Sequence, residues 1–549
     1  MKKYLLVLVG LCCVLSYALA ERPDYPELKK SDANIIGHVL DKKTKEHLPY
    51  ITIALKGTTI GTVTDATGHY FLKNLPEGNF ILEVSSVGYK TVTRNVTLKK
   101  GKTLEEDFEI EEDAIALDGV VVSANRSETT RRMAPTLVNV VDLKLFETTN
   151  SSTLSQGLNF QPGVRVETNC QNCGFQQVRI NGLDGPYTQI LIDSRPVFSA
   201  LSGVYGLEQI PASMIERVEV MRGGGSALFG SSAIAGTINI ITKEPLRNSG
   251  QLSHTITSLG GSSSFDNNTS LNASLVTDDH RAGLYIFGQN RYRSGYDYDG
   301  DGFTELPKLK NQTVGFRSYL KTSTYSKLTF EYHHMQEFRR GGDMLNRPPH
   351  EAHIAEQLQH SIDGGSLKFD YFSPDEKNRL SVFASAANTD RDSYYGPGND
   401  PLKAYGKTTD LTAMGGAQYV HTFDKCFFMP SDLTAGLEYN RDRLKDNMWG
   451  YNRHTDQTVN IYSAFLQNEW KNDRWGILIG GRLDKHNMVD NVIFSPRANL
   501  RFNPTQNINL RLSYSSGFRA PQAFDEDMHI ENVGGTVAMI EREIGRAHV

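Results

Sequence analysis

From about Gly250 onward the chain alternates apolar and polar side chains in runs that can be read one by one. Ile508, Leu510, Leu512 and Tyr514 alternate with Asn509, Arg511, Ser513 and Ser515. Pro496, Ala498, Leu500 and Phe502 alternate with Arg497, Asn499 and Arg501, and Leu433, Ala435, Leu437 and Tyr439 with Thr434, Gly436, Glu438 and Asn440. Leu328, Phe330 and Tyr332 do the same with Thr329 and Glu331. A period of two predicts β-strands with one apolar face and one polar face. Such a strand suits a wall between lipid and a wet lumen. A soluble sandwich alternates too, so the pattern alone leaves both open. The connections lean to a barrel: Asn503–Gln506 and Lys471–Arg474 are short, whereas Ser294–Lys310, Arg339–Glu356 and Lys445–Gln457 are long and polar. That asymmetry is expected of the two sides of a membrane.

Two other textures come first. Between Ala33 and Glu112 short strands are separated by Asp65-Ala66-Thr67-Gly68, Asn74-Leu75-Pro76-Glu77-Gly78 and Lys99-Lys100-Gly101, which predicts a small β-sandwich. Its His38, His47 and His69 lack the Glu/His spacing of a zinc peptidase and are read as surface histidines. From about Asn125 to Pro245 the pattern mixes elements. A short helix is predicted near Ser152–Asn159, and two strands flank the Asn181–Pro186 turn. Two more strands, Arg217–Met221 and Thr237–Thr242, are joined through Gly223, Gly224 and Gly225, which permit positive φ and close backbone approach. A phosphate cradle would need a following Gly-Lys-Ser/Thr, which is not there. The fold class expected is all-β dominated: a small β-sandwich, an α+β unit with polar strand ends suited to a wet lumen, then part of a transmembrane antiparallel β-barrel.

Composition narrows the setting. The 549 residues allow several domains, and a net charge of −5 gives no sign of nucleic-acid binding. A mean hydropathy of −0.41 is too polar for a helical membrane protein but compatible with a barrel. Lys2 and Lys3, the apolar run Leu5–Leu15 and Ala18-Leu19-Ala20 form a secretory signal, residues 1–20. Leu11 before Cys12 is too large for the usual lipoprotein site. Cleavage leaves Cys170, Cys173 and Cys426.

Two constellations could carry chemistry. Cys170 and Cys173, in an exported chain, are read first as a disulfide clipping a loop. Metal ligation would lack a second pair, and thioredoxin-like redox chemistry would lack its αβ context. Asp297, Asp299, Asp301 and Glu305 place oxygens at alternate positions around Gly302, like the start of an EF-hand loop. Lys308 stands where the bidentate Glu should be, so calcium and a merely solvated acidic turn are both open.

The stretch IERVEVMRGGGSALFGSSAIAGTINIITK, residues 215–243, closely resembles the plug-domain signature of TonB-dependent outer-membrane receptors. Residues 33–112 resemble the carboxypeptidase regulatory-like (transthyretin-like) domain that often precedes the plug in receptors of the Bacteroidetes type. Leu117, Asp118, Gly119, Val120, Val121, Val122, Ser123 and Ala124, after the acidic run Glu105–Asp113, have the place and pattern of a TonB box. An extended segment of this kind can add as a strand to another protein's sheet edge. Gly517-Phe518-Arg519-Ala520-Pro521 resembles the family's FRAP box, followed by His529. In haem receptors a histidine between that box and an NPNL box ligates iron; the second box is absent here.

The resemblance implies a domain order of residues 33–112, a TonB box at 117–124, a plug at 125–245 and barrel at 250–543. It implies import of a small metal chelate, haem or corrinoid, driven by TonB with its inner-membrane energising complex. It places the chain in the cell outer membrane, with the N-terminal domain and TonB box in the periplasm. No substrate bond need break, so no enzyme is expected. No cofactor is required, although cobalamin receptors order acidic outer loops with calcium, which favours Asp297, Asp299, Asp301 and Glu305. By position Tyr187, Arg195, Phe198 and Tyr205 could meet ligand from the plug; packing against the barrel wall is the plainer account of each. The rival classes are a passive porin or adhesin barrel and an envelope thiol oxidoreductase using Cys170 and Cys173. Roughly thirteen strands are legible by Ser516, against about twenty-two in plugged transporters, so a C-terminally truncated barrel is expected. Ile544–Val549 is expected to be non-native, because one frame of a sequencing-adapter sequence encodes it.

Overall fold

The computed structural model describes residues 30–548 apart from 50, 66, 87–88, 112–119, 125, 127–128, 171–173, 196–205, 278, 398–403, 506–507, 520 and 524–544. The first unit holds β1 (Lys30–Asp41), β2 (Thr52–Leu55), β3 (Gly61–Val63), β4 (His69–Pro76), β5 (Gly78–Ser85), β6 (Val92–Leu98), β7 (Thr103–Glu105) and β8 (Phe108–Ile110). One sheet runs β4-β1-β7 with β8 also beside β1, and the other runs β3-β2-β5-β6. Alternation explains the packing. Tyr70 and Leu72 of β4 point in, while Phe71 and Lys73 point out. The fully buried Ile35, Ile53, Leu55, Leu82, Val84, Phe108 and Ile110 fill the space between the sheets.

A short hairpin follows, β9 (Val120–Val121) with β10 (Thr129–Thr130). The next unit contains β11 (Val138–Asp142), α1 (Leu143–Thr148), α2 (Leu154–Leu158), β12 (Val164–Cys170), β13 (Phe175–Ile180), β14 (Thr188–Ile192), α3 (Gly206–Gln209), β15 (Ile215–Arg222), α4 (Ser226–Phe229) and β16 (Gly236–Thr242). Its sheet has the order β11-β15-β16-β14, with β14 parallel to β16, and β12 pairs with β13 as a separate hairpin. Asp142 caps α1 by accepting from Leu145 N at 2.9 Å. The glycine turn does both things expected of it: Gly223 takes φ +82, and a Cβ on Gly224 would lie 2.3 Å from Ser515 Oγ in the surrounding wall.

The wall is one antiparallel sheet in chain order. Its strands are β17 (Ser249–Ser258), β18 (Phe265–Val276), β19 (Ala282–Arg293), β20 (Lys308–Ser323), β21 (Ser326–Gly342), β22 (Ile354–Phe372) and β23 (Asn378–Pro397), then β24 (Tyr405–Cys426), β25 (Met429–Met448), β26 (Arg453–Lys471), β27 (Trp475–His486), β28 (Ile493–Thr505), β29 (Ile508–Arg519) and the short β30 (Gly545–His548). Burial along it settles the ambiguity that the sequence left. In β28, Ser495, Arg497, Asn499, Arg501 and Asn503 are buried, while Phe494, Ala498 and Leu500 are exposed. Leu437 is 66% and Leu512 71% exposed. A polar interior with an apolar exterior is the order of a transmembrane barrel, the reverse of a soluble sandwich. Among the described residues no helix is long and apolar enough to cross a membrane.

One connection differs from expectation. Lys445–Gln457 is strand for most of its length, with β25 and β26 paired up to Met448 opposite Arg453. Cross-strand pairs such as Arg443 with Asp456 at 3.3 Å hold this polar extension together. Strands of about ten residues already cross a bilayer, so β23, β24 and β25 stand well out into water. Polarity there marks the solvent, not the end of pairing.

Candidate functional site

The candidate functional site is the seam between the plug unit and the inner face of the wall. Near the long loops, Glu208 of α3 meets three arginines. Arg339 Nη1 lies 2.8 Å from Oε2, and Arg293 Nη1 and Arg291 Nη1 lie 3.3 and 3.5 Å from Oε1. Burial alone would push the Glu208 carboxyl up, but the guanidinium groups of Arg339, Arg293 and Arg291 outweigh it and hold it at about 2. Beside this cage is a polar cavity of about 260 Å³, lined by Asn150, Gln156, Asn159, Thr168, Gln176 and Asp266 among others.

Elsewhere on the seam, Asp193 accepts from Thr242 Oγ1 at 2.7 Å and Thr242 N at 3.1 Å, and pairs with Arg317 of β20. Burial raises this carboxyl, and Arg317 more than reverses that, leaving it below the usual carboxylate range. Arg126 pairs with Glu438 of β25, which also takes Arg482 Nη1 at 2.7 Å. Arg482 in turn donates to Leu228 O at 3.1 Å. Arg497 donates to Ala124 O at 2.7 Å and Thr136 Oγ1 at 2.6 Å. Among the described residues the plug therefore meets its wall largely through ions and hydrogen bonds; apolar contacts include Tyr285 and Phe287, which join the plug core.

The segment read as a TonB box runs into this seam. Its Leu117, Asp118 and Gly119 lie outside the described residues. Val120 and Val121 form β9, and Val121, Ser123 and Ala124 are buried. Glu219 Oε2, on β15, one of the two central plug strands, accepts from Val122 N at 2.9 Å, Ser123 N at 2.8 Å and Ser123 Oγ at 2.7 Å. Asn239 Nδ2 donates to Ser123 Oγ at 2.9 Å, and Arg217 Nε sits 3.0 Å from Glu219 Oε1. Arg217 keeps Oε1 paired in any case, but the donors to the buried Oε2 come from the segment and are present only while it stays docked.

The other sequence-read residues fall as follows. Cys170 Sγ donates to Glu356 Oε2 at 3.1 Å, at the outer edge of β22. Cys173, its expected disulfide partner, lies outside the described residues, as do Phe198, Tyr205 and His529. Tyr187 packs against the plug core, and its carbonyl accepts from Ile234 N and Ala235 N. Arg195 is buried with its guanidinium 4.6 Å over the Phe383 ring of the wall, and burial lowers its proton affinity. Asp297, Asp299 and Glu305 bring carboxylate oxygens together, and Asp301 is not in that group. Asp297 accepts from Gly300 N at 2.7 Å and Gly302 N at 2.9 Å, so the loop is already bent around it. Sequence reading passed over Glu208, Glu219 and Glu438. No local signal marks them: Glu219 stands in a strand that also carries Glu216, Arg217 and Arg222, and Glu438 in one with Asp432, Arg441 and Asp442.

Fold and seam together define a plugged β-barrel. The carboxypeptidase regulatory-like domain model matches residues 35–122, the TonB-dependent receptor plug domain 130–237, and the TonB-dependent receptor-like β-barrel 236–537. The chain belongs to the TonB-dependent receptor family, a family of outer-membrane β-barrel receptors. It is 24% identical over 425 residues to the vitamin B12 transporter BtuB of Vibrio vulnificus strain CMCP6, covering 74% of this chain and 64% of that one. The BtuB of strain YJ016 is 33% identical over 174 residues, 31% of this chain and 28% of that one. The siderophore receptor PirA from Acinetobacter baumannii superposes with a TM-score of 0.62 at 19% identity, over 71% of this chain and 62% of that one. The ferric enterobactin receptor PfeA from Pseudomonas aeruginosa, in complex with enterobactin, gives 0.58 at 19%, over 70% and 63%. The chain thus spans less than two thirds of the length of these relatives.

Proposed function

We propose that the protein imports a scarce ligand across the outer membrane by energised transport, with TonB and its inner-membrane complex supplying the force from the periplasmic side. The observation that carries this reading is the clamp of Glu219 on Val122 and Ser123. A segment so held is closed to a partner until the clamp opens. Once free, its backbone can add to a partner's sheet edge. Traction on it then bears on β15, one of the two inner strands of the plug sheet. Glu208 in α3 and Glu219 in β15 are eleven positions apart in the chain, so a ligand that disturbs the arginine cage acts on the segment that leads into the strand carrying the clamp.

The ligand on this reading is a small metal chelate, haem or corrinoid. The name carried by the two sequence relatives favours a corrinoid. Calcium at Asp297, Asp299 and Glu305 belongs to the same proposal: three carboxylates already converge, which suits a hard cation. Cobalamin and haemin titrations of the purified protein, with calcium and with chelator, separate these cases. The transport claim is tested by deleting residues 117–124: binding is expected to persist while uptake into cells is lost. Uptake that survives the deletion would favour a passive porin or adhesin barrel instead. A spin label on Val120 is expected to gain mobility in a Glu219→Ala variant; an unchanged spectrum counts against the clamp.

A further inference from the structure

The N-terminal sandwich gathers three histidines that the sequence keeps far apart. His38 of β1 and His69 of β4 are direct cross-strand partners. His47 arrives from the turn after β1, which folds back so that Leu48 N donates to Val39 O at 2.8 Å. Gly68, at φ +80, permits the contact, since a Cβ there would lie 2.7 Å from His47 Cβ. The three ring centroids are 4.9, 5.1 and 5.7 Å apart. From these the geometry points to a site nothing else in the protein explains: we propose that His38, His47 and His69 bind one late divalent transition-metal ion of the zinc, copper or nickel kind.

The distances fit. With a metal–nitrogen bond of about 2.0–2.1 Å, an imidazole centroid sits about 3.2 Å from a bound ion, and a tetrahedral pair of rings about 5.2 Å apart. A point equidistant from the three centroids lies about 3.0 Å from each. The tautomers fit as well. His38 Nδ1 lies 3.0 Å from Asp107 Oδ1, a carboxylate that only accepts, so Nδ1 carries the proton and Nε2 keeps its lone pair. Thr67 Oγ1 gives its one hydrogen to Asp65 Oδ1 at 2.7 Å, so it can only accept from His69 Nδ1 at 3.1 Å, and Nε2 of His69 is left for a ligand too. Asp65 also accepts from Thr67 N and His69 N, which fixes that turn. A carboxylate behind His38 and a hydroxyl behind His69 are the support that metal-bound histidines use. The rings now lean on one another, with 29° between the planes of His47 and His69. Asp107 and Thr67 hold the His38 and His69 rings, so the ring that turns toward a common point is His47, and its exposure makes that cheap. Three imidazoles select a borderline ion over calcium or magnesium, and the fourth position faces solvent.

The test uses the full chain in detergent, titrated with zinc against a chromophoric chelator. One site is expected that His47→Ala and His69→Ala each weaken at least tenfold and the double variant abolishes. Asp107→Asn, which removes a support but no ligand, should weaken it about tenfold. Cobalt in place of zinc should give the visible bands of a tetrahedral ion, lost in the double variant. Asp297→Asn should change nothing. Zinc also raises the unfolding temperature of the wild type; a variant that folds but lacks that shift supports the site. Equal zinc uptake by the double variant, or none by the wild type, overturns it.

Discussion

The N-terminal sandwich and the barrel wall are written in the same two-residue period and fold with opposite sign. In β4 Tyr70 and Leu72 are buried, and His69, Phe71 and Lys73 face out. In β28 Arg497, Asn499 and Arg501 are buried, and Phe494, Ala498 and Leu500 face out. The difference teaches that alternation encodes a two-faced strand, not which face is the inside. In the sandwich two apolar faces remove each other from water. In the barrel the apolar face has lipid to meet, and the lumen is filled by a plug bristling with hydrogen-bonding groups.

That contrast can be broken most severely at Leu72. Leu72→Asp would bury an unpaired charge between the two sheets, and a cost of about 5 kcal/mol is expected. Loss of the first unit's protease resistance, with the barrel still heat-modifiable on a gel, is the readout. The mirror experiment uses the lumen's own charge. The Glu208 carboxyl is held at about 2, below the usual value of 4.5 for its type. A depressed folded-state value means stabilisation that is present above the unfolded value and lost as pH falls from about 4.5 toward 2. The expected contribution is up to about 3 kcal/mol. Plug release should follow that window in the wild type, and Glu208→Gln should flatten it; an identical profile would show that the cage does not hold the plug.

A smaller effect is expected for Leu437→Arg on the lipid face, about 2–3 kcal/mol against folding into bilayers and far less in detergent. The smallest is Leu512→Ala. This side chain is 71% exposed, so truncation in detergent should cost under about 1 kcal/mol, well below Leu→Ala at a packed core site. Parity between Leu512→Ala and Leu72→Ala would erase the distinction between the two regions.

Much of the fold was legible. The strands of the wall, the sandwich, the helix ahead of Pro162 and the glycine turn all follow from period and turn chemistry, because each depends on residues a few positions apart. The family too is written in one contiguous stretch around Gly223–Gly225. The hairpin through Met448 and Arg453 reads as loop in the sequence because polarity reports solvent as well as irregularity. The seam was the least legible part. Glu208, Glu219 and Glu438 look like ordinary strand or turn charges until their partners are known.

The chain by itself determined which segments are extended, where they turn and which kind of receptor they build, since those properties are local. Only the tertiary structure decided which face is inside, that Glu219 holds Val122 and Ser123, and that His38, His47 and His69 stand together. Arg497 and the Ala124 carbonyl it holds are 373 positions apart. Contacts at such range depend on how sheets close around one another, and no period along the backbone records that.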